Sequence, residues 1–174
     1  MKSKKTSSHM ENKKAFAIPK IFAWLASLTL ISIITAAIFL SHGQYLPLKI
    51  VGVSILVIAL VFIFTPFFLL QNSGSASGGY DYMDTTQVVD RGLYAITRHP
   101  QYLGYMLMAI GFACITQHWV ISLLSGICVI FFGLQAIEEE HFCIAKFGES
   151  YVQYMKRVPR FNIFLGLWRK MRVK

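Results

Sequence analysis

Charge of one sign is what this chain has least of. Eight Asp and Glu stand against seventeen Lys and Arg in 174 residues. Charged residues of both signs reach only 14%, whereas a soluble domain carries roughly a quarter. So few charges do not dress a water-facing surface around a chain that is 55% hydrophobic. With a mean hydropathy of +0.53, the composition describes an all-α integral membrane protein of one domain. The three cysteines, Cys114, Cys128 and Cys143, have no short paired spacing. That argues against a disulfide framework or a zinc site, and for small buried hydrophobes. The net charge of +9 forms no basic stripe with interleaved aromatics, so nucleic acid is not the expected partner. The cations lie instead in the tails and beside apolar runs, as topology signals do. No internal repeat is evident.

What the chain has is long apolar runs. Residues 1–20 are polar and lysine-rich and read as a disordered cytoplasmic tail. Residues 21–70 hold two runs, 21–40 and 46–70, each long enough to cross a bilayer core of about 20 helical residues. Lys49 can snorkel to the interface, and Pro66 is placed to kink the second run. Residues 71–98 read as a cytoplasmic loop, opening with a Gly/Ser-rich stretch suited to a lid or linker. Residues 99–174 comprise an apolar hairpin, 102–116 and 120–137, then a helix leaving the membrane and breaking near Gly148. Tyr151, Tyr154, Met155 and Val158 keep the spacing of one apolar helical face. The end of the chain mixes Phe164, Leu167 and Trp168 with Arg169, Lys170 and Arg172, as an interfacial segment does. About four crossings are expected, with both termini and both polar motifs in the cytoplasm by the positive-inside rule.

Two polar segments interrupt this pattern. The first, Arg98-His99-Pro100-Gln101-Tyr102, places a cation, a titratable ring and a phenol at the start of the third run. Pro100 disfavours helix at His99 and opens one just after it. A helix N-terminus flanked by Arg and His suits a carboxylate or phosphate, although Arg, His and Tyr also anchor helices at the headgroup level. The second is Glu138-Glu139-Glu140 at the end of the fourth run. Adjacent carboxylates at a membrane boundary call for a cationic partner such as Arg98, a ligand amine or a metal; a solvated charge cluster is the alternative.

Together these residues resemble the isoprenylcysteine carboxyl methyltransferase family and its phospholipid and small-thiol methyltransferase relatives. The resemblance runs over residues 88–160. It rests on Gly92-x-Tyr94-x-x-x-Arg98-His99-Pro100-x-Tyr102-x-Gly104, Glu139-Glu140, Phe147-Gly148-x-x-Tyr151-x-x-Tyr154 and Val158-Pro159-Arg160. It implies S-adenosylmethionine as methyl donor, with Arg98, His99, Tyr102, Gly104, Glu139 and Tyr151 as its site. Glu139, Glu140, Gln135 and Arg160 form the implied catalytic group, and no metal is implied. The acceptor is expected to be a small molecule or lipid bearing a thiol, carboxyl or amine, arriving from the inner leaflet between the third and fourth spans. One position departs from the family pattern. The family often has an arginine one helical turn before the paired glutamates, and Gln135 stands there, which points away from an obligatory carboxylate acceptor. Two other readings stay open: an NADPH-dependent reductase of the sterol type, whose members carry a similar Arg-His-Pro-x-Tyr segment, and a non-catalytic membrane scaffold.

Overall fold

The computed structural model describes residues 21–40, 42–72 and 87–172. The expected basic tail and most of the Gly/Ser-rich stretch lie outside the described residues. Within them the fold is all-α and arranged for a membrane. Helices α1 (Ile21–Phe39) and α2 (Leu46–Asn72) are followed by a 3-10 turn at Gly92–Ala95, then α3 (Pro100–Thr116), α4 (Trp119–Phe147), α5 (Glu149–Arg157) and α6 (Ile163–Arg172). Three of them, α1, α2 and α4, are long and apolar enough to cross a bilayer. At 17 residues α3 is shorter, and it packs between α2 and α4. The outward faces of α1 and α2 expose Leu28, Ile31, Val53, Val57 and Phe64, which suit lipid and not water.

Small residues set how closely these helices approach. Gly52 and Ala59 on α2 lie one heptad apart, as do Gly104 and Gly111 on α3. A Cβ on Gly104 would sit 3.0 Å from the Ala59 carbonyl oxygen, and one on Gly52 would sit 2.8 Å from that of Gly111. The backbones therefore pack directly, as membrane helices do when dispersion rather than the hydrophobic effect holds them. On the other side, α1 lays its fully buried Ala26 and Ile33 against a cluster containing Cys128 and Phe132 of α4.

At the end of the bundle opposite the polar motifs, the α1–α2 and α3–α4 connections are clasped together. Gln117 takes a left-handed conformation at the end of α3. Its side-chain amide accepts from the Tyr45 N–H at 3.2 Å and donates to the Tyr45 carbonyl at 2.8 Å. The Gly43 N–H donates to the Thr116 carbonyl at 2.9 Å.

The sequence-based boundaries shift at the polar end. The third helix begins at Pro100, and the fourth continues through all three glutamates to Phe147. Because α4 does not stop at Glu140, the unfavourable meeting of carboxylates with a helix C-terminus does not arise. The break comes at Gly148, with φ +60° and ψ −136°, a conformation open to glycine and costly for other residues. The segment expected as one loop over 71–98 instead contains the last turn of α2 and the 3-10 turn. Beyond Gly148, α5 folds back so that Tyr151, Tyr154 and Val158 are buried with Leu70, Val89, Tyr94 and Cys143, and Met155 packs beside them. The Tyr154 hydroxyl donates to the Tyr94 carbonyl at 2.7 Å, fixing α5 to the 3-10 turn.

Candidate active site

The two polar motifs, about forty residues apart in sequence, meet on one carboxylate. Glu140, 2% exposed, accepts from three side chains. Arg98 reaches its Oε1 at 3.0 Å, His99 Nε2 lies 3.2 Å from the same oxygen, and Arg160 grips it with Nε at 2.9 Å and a terminal nitrogen at 2.6 Å. The Arg160 pair is bidentate, the strongest geometry for a guanidinium and a carboxylate. The hydrogen bond to Glu140 raises the Arg160 guanidinium above its ordinary value, so it stays charged.

Backbone pairing puts these groups in register. The Arg98 N–H donates to the Pro159 carbonyl at 3.0 Å, and the His99 N–H to that of Arg160 at 3.4 Å. The Thr97 hydroxyl, fully buried, donates to the Arg160 carbonyl at 2.6 Å. Thus Thr97-Arg98-His99 runs along Pro159-Arg160 as a short backbone seam below α3. Pro100, in the first turn of α3, ends that seam and starts the helix.

Glu139 is also buried, at 5% exposure, and its Oε1 lies 3.8 Å from His99 Nδ1. His99 therefore stands between the two carboxylates. The His99 ring lies parallel to Tyr102 at 5.6 Å, and Tyr102 and Tyr105 in turn stack on Phe132 at 5.7 and 5.2 Å. A narrow cleft opens at this point, lined by Tyr94, Arg98, His99, Gln101, Tyr102 and Glu139. Arg98 Nε is buried without a hydrogen-bond partner, the one such side-chain atom among the described residues.

The expected residues divide accordingly. Arg98, His99, Tyr102 and Glu139 come together around the cleft, with Glu140 directly behind them. Arg160 belongs to the cluster, but its fork is spent on Glu140. Gly104 lies one turn into α3 and serves the close approach to α2. Tyr151 is 1% exposed within the apolar packing of α5 and does not line the cleft. Gln135 is placed elsewhere. Its Oε1 accepts from the Ala23 N–H at 3.0 Å, capping one of the donors left open in the first turn of α1. Glu138 is only partly buried. Sequence reasoning passed over Thr97, which anchors the seam, and Phe161, whose ring lies 6.0 Å from His99. Phe161 carried no separate signal because every aromatic after Arg160 read as interfacial.

An apolar helical bundle thus carries a buried Arg-His-Glu-Glu cluster at one end. Residues 48–150 match the phospholipid methyltransferase family, and the chain belongs to it. Among characterised relatives it is similar to protein-S-isoprenylcysteine O-methyltransferase of Schizosaccharomyces pombe, 37% identical over 73 residues, covering 41% of this chain and 31% of the relative. The human protein of the same name is 38% identical over 81 residues, covering 44% and 27%. Arabidopsis thaliana protein-S-isoprenylcysteine O-methyltransferase B is 35% identical over 78 residues, covering 42% and 38%. The matched part thus spans about a third of these relatives. Their named acceptor, a protein isoprenylcysteine, differs in kind from the small molecule or lipid expected from the sequence. No solved structure matches the chain.

Proposed function

We propose that the chain is a membrane methyltransferase using S-adenosylmethionine, with the cleft at Arg98, His99, Tyr102 and Glu139 as its donor site and the cytoplasm as the side it faces. The observation that carries this reading is Glu140 held by Arg98, His99 and Arg160 at 2.6–3.2 Å. Beside that hub, Glu139 and the stacked His99–Tyr102 pair line the cleft. At about 30 Å³ the cleft must widen to admit the donor, but its side chains suit the ligand's chemistry. A buried carboxylate, Glu139, suits an ammonium, and the partnerless Arg98 Nε suits a carboxylate. Tyr102 offers a ring face for a purine. When bound, S-adenosylmethionine supplies a methyl group on a cationic sulfur, which an acceptor attacks in line.

The chain's part is alignment and exclusion of water, since charge is lost and not created as the methyl moves. Glu140 fixes the positions of Arg98 and His99. Pro100 and the seam to Pro159 and Arg160 fix the entry to α3. A carboxylate acceptor needs no base. A thiol or amine would pass its proton to Glu139 or His99, because both Glu140 oxygens are already engaged.

For the acceptor, the relatives' names favour a lipid-modified cysteine carboxyl group. Gln135 no longer argues against an anion, because its oxygen is committed to capping α1. A labelled-methyl transfer assay in lipid nanodiscs, with N-acetyl-S-farnesylcysteine and with lipid and thiol extracts as acceptors, tests this. Label in a base-labile ester of the farnesylated compound is the expected result. Label only in thiol or amine products overturns the acceptor, and no label in any product overturns the activity.

A further inference from the structure

On the far side of the 3-10 turn from the donor cleft lies a second, larger one of about 480 Å³, within the range of small-ligand sites, about 300–1,000 Å³. It is walled by Lys156 and Arg157 at the end of α5 and by Arg169, Lys170 and Arg172 of α6. Its one carboxylate, Asp90, is already paired with Arg157 at 3.4 Å. Among the described residues no carboxylate pairs with Lys156, Arg169, Lys170 or Arg172, so the cleft keeps an excess of positive charge. Arg169 donates to the Lys156 carbonyl at 3.1 Å, which ties the two walls together.

The second observation concerns the other face of α6. Gly166 faces inward, where a Cβ would collide with the Ile96 carbonyl, so α6 is pressed onto the residues just before Arg98. Phe164, Leu167, Trp168 and Met171 point away from the protein, and Phe164 is 85% exposed. Arg172 lies over the Trp168 ring at 3.9 Å, at the border of the apolar and basic faces. A helix with an exposed aromatic and aliphatic face and a basic opposite face lies in a membrane interface.

We infer that α6 lies on an anionic leaflet and that the basic cleft between α5 and α6 takes the phosphate-bearing headgroup of an anionic phospholipid. The apolar face enters the acyl boundary while the cations stay at headgroup depth. Charge complementarity selects an anionic over a zwitterionic lipid, because four cations with no carboxylate partner among the described residues gain from a net negative charge. Lipid bound here would brace α6 against Ile96, two residues before the Glu140-bound arginine. The inference stands without the methyltransferase reading, since it uses none of the donor-site residues.

The test uses the purified full chain in neutral detergent, with thermal unfolding followed during titration by short-chain phosphatidylglycerol, short-chain phosphatidylcholine or inorganic phosphate. Roughly tenfold or greater preference for phosphatidylglycerol over phosphatidylcholine is expected. The preference should fall sharply in a Lys156→Gln, Lys170→Gln variant, which keeps the Arg169 tie and the Arg172–Trp168 contact, with lipid-free melting unchanged. Should that variant fail to fold, Lys170→Glu alone, at an exposed position, should weaken the preference. Equal affinity for both lipids overturns the inference, and so does an undiminished preference in the variants. Stabilisation by inorganic phosphate equal to that by phosphatidylglycerol would assign the cleft to a soluble anion instead. Trp168 provides an independent readout. In a Trp24→Phe, Trp119→Phe background, brominated phosphatidylglycerol should quench it, and an unquenched Trp168 contradicts the interfacial placement.

Discussion

At the scale of single residues, adjacent glutamates have different duties. Glu140 compensates the nearly buried Arg98 guanidinium and the partly exposed one of Arg160, so Glu140→Ala leaves Arg98 without its carboxylate partner. Removing one partner of a buried ion pair costs about 3–5 kcal/mol. The variant should melt far below the parent in detergent and lose donor binding as a consequence. Glu139 faces the cleft, so Glu139→Gln should keep the melting temperature nearly unchanged. It should weaken S-adenosylhomocysteine binding roughly 10- to 150-fold, the equivalent of about 1.5–3 kcal/mol for a hydrogen bond to a charged group. Comparable destabilisation in both variants, measured by thermal unfolding, would contradict this division. Gln135 gives a third contrast. Gln135→Ala removes a helix cap worth about 0.5–2 kcal/mol and should lower stability by that amount while leaving donor affinity intact.

At the scale of elements, Gly148 and Gly104 determine where the site's walls stand. Gly148→Ala forces a Cβ into a φ of +60° with ψ −136°, at about 1–3 kcal/mol of backbone strain. Relief of that strain by rotating α5 would pull Tyr154 from the Tyr94 carbonyl, so donor affinity should fall together with stability, as calorimetry and unfolding on one preparation would show. Gly104→Leu should be more damaging, because its side chain would meet the α2 backbone at Ala59 and Ile63. Much of this level was legible in the chain. Apolar run length gave the helices, Pro100 gave the start of α3, and Gly148 gave the break before α5. The need for a cation beside the glutamates was legible as well, with Arg98 one candidate alongside a ligand amine or a metal. The seam joining Thr97 to Arg160 was not, since pairing between remote irregular segments leaves no periodicity to read. Gln135 reads from sequence as part of the site because it lies one turn from Glu139, and only the tertiary fold shows its bond to the start of α1. Tyr151 is ambiguous in sequence because an aromatic in a motif reads the same whether it meets a ligand or packs in a cluster with Leu70.

At the scale of the whole molecule, the ion-paired cluster on Glu140 lies at one end of the described bundle, and uncharged groups clasp the other, Gln117 on Tyr45 and Gly43 on Thr116. On the positive-inside reading, a reporter fused to either terminus should be cytoplasmic, and a cysteine placed at His42 should react with an impermeant reagent only from the opposite side. Labelling of both ends from the same side as His42 would contradict it. The central claim is that the Arg98–His99–Tyr102–Glu139 cleft, supported by Glu140, binds the methyl donor. Its most direct test is calorimetric titration of S-adenosylhomocysteine into the nanodisc-embedded chain and into its Glu139→Gln variant. The account predicts saturable binding to the parent at one site per chain and a markedly weakened isotherm for the variant. No binding to a correctly folded parent, or equal binding to both, would contradict it.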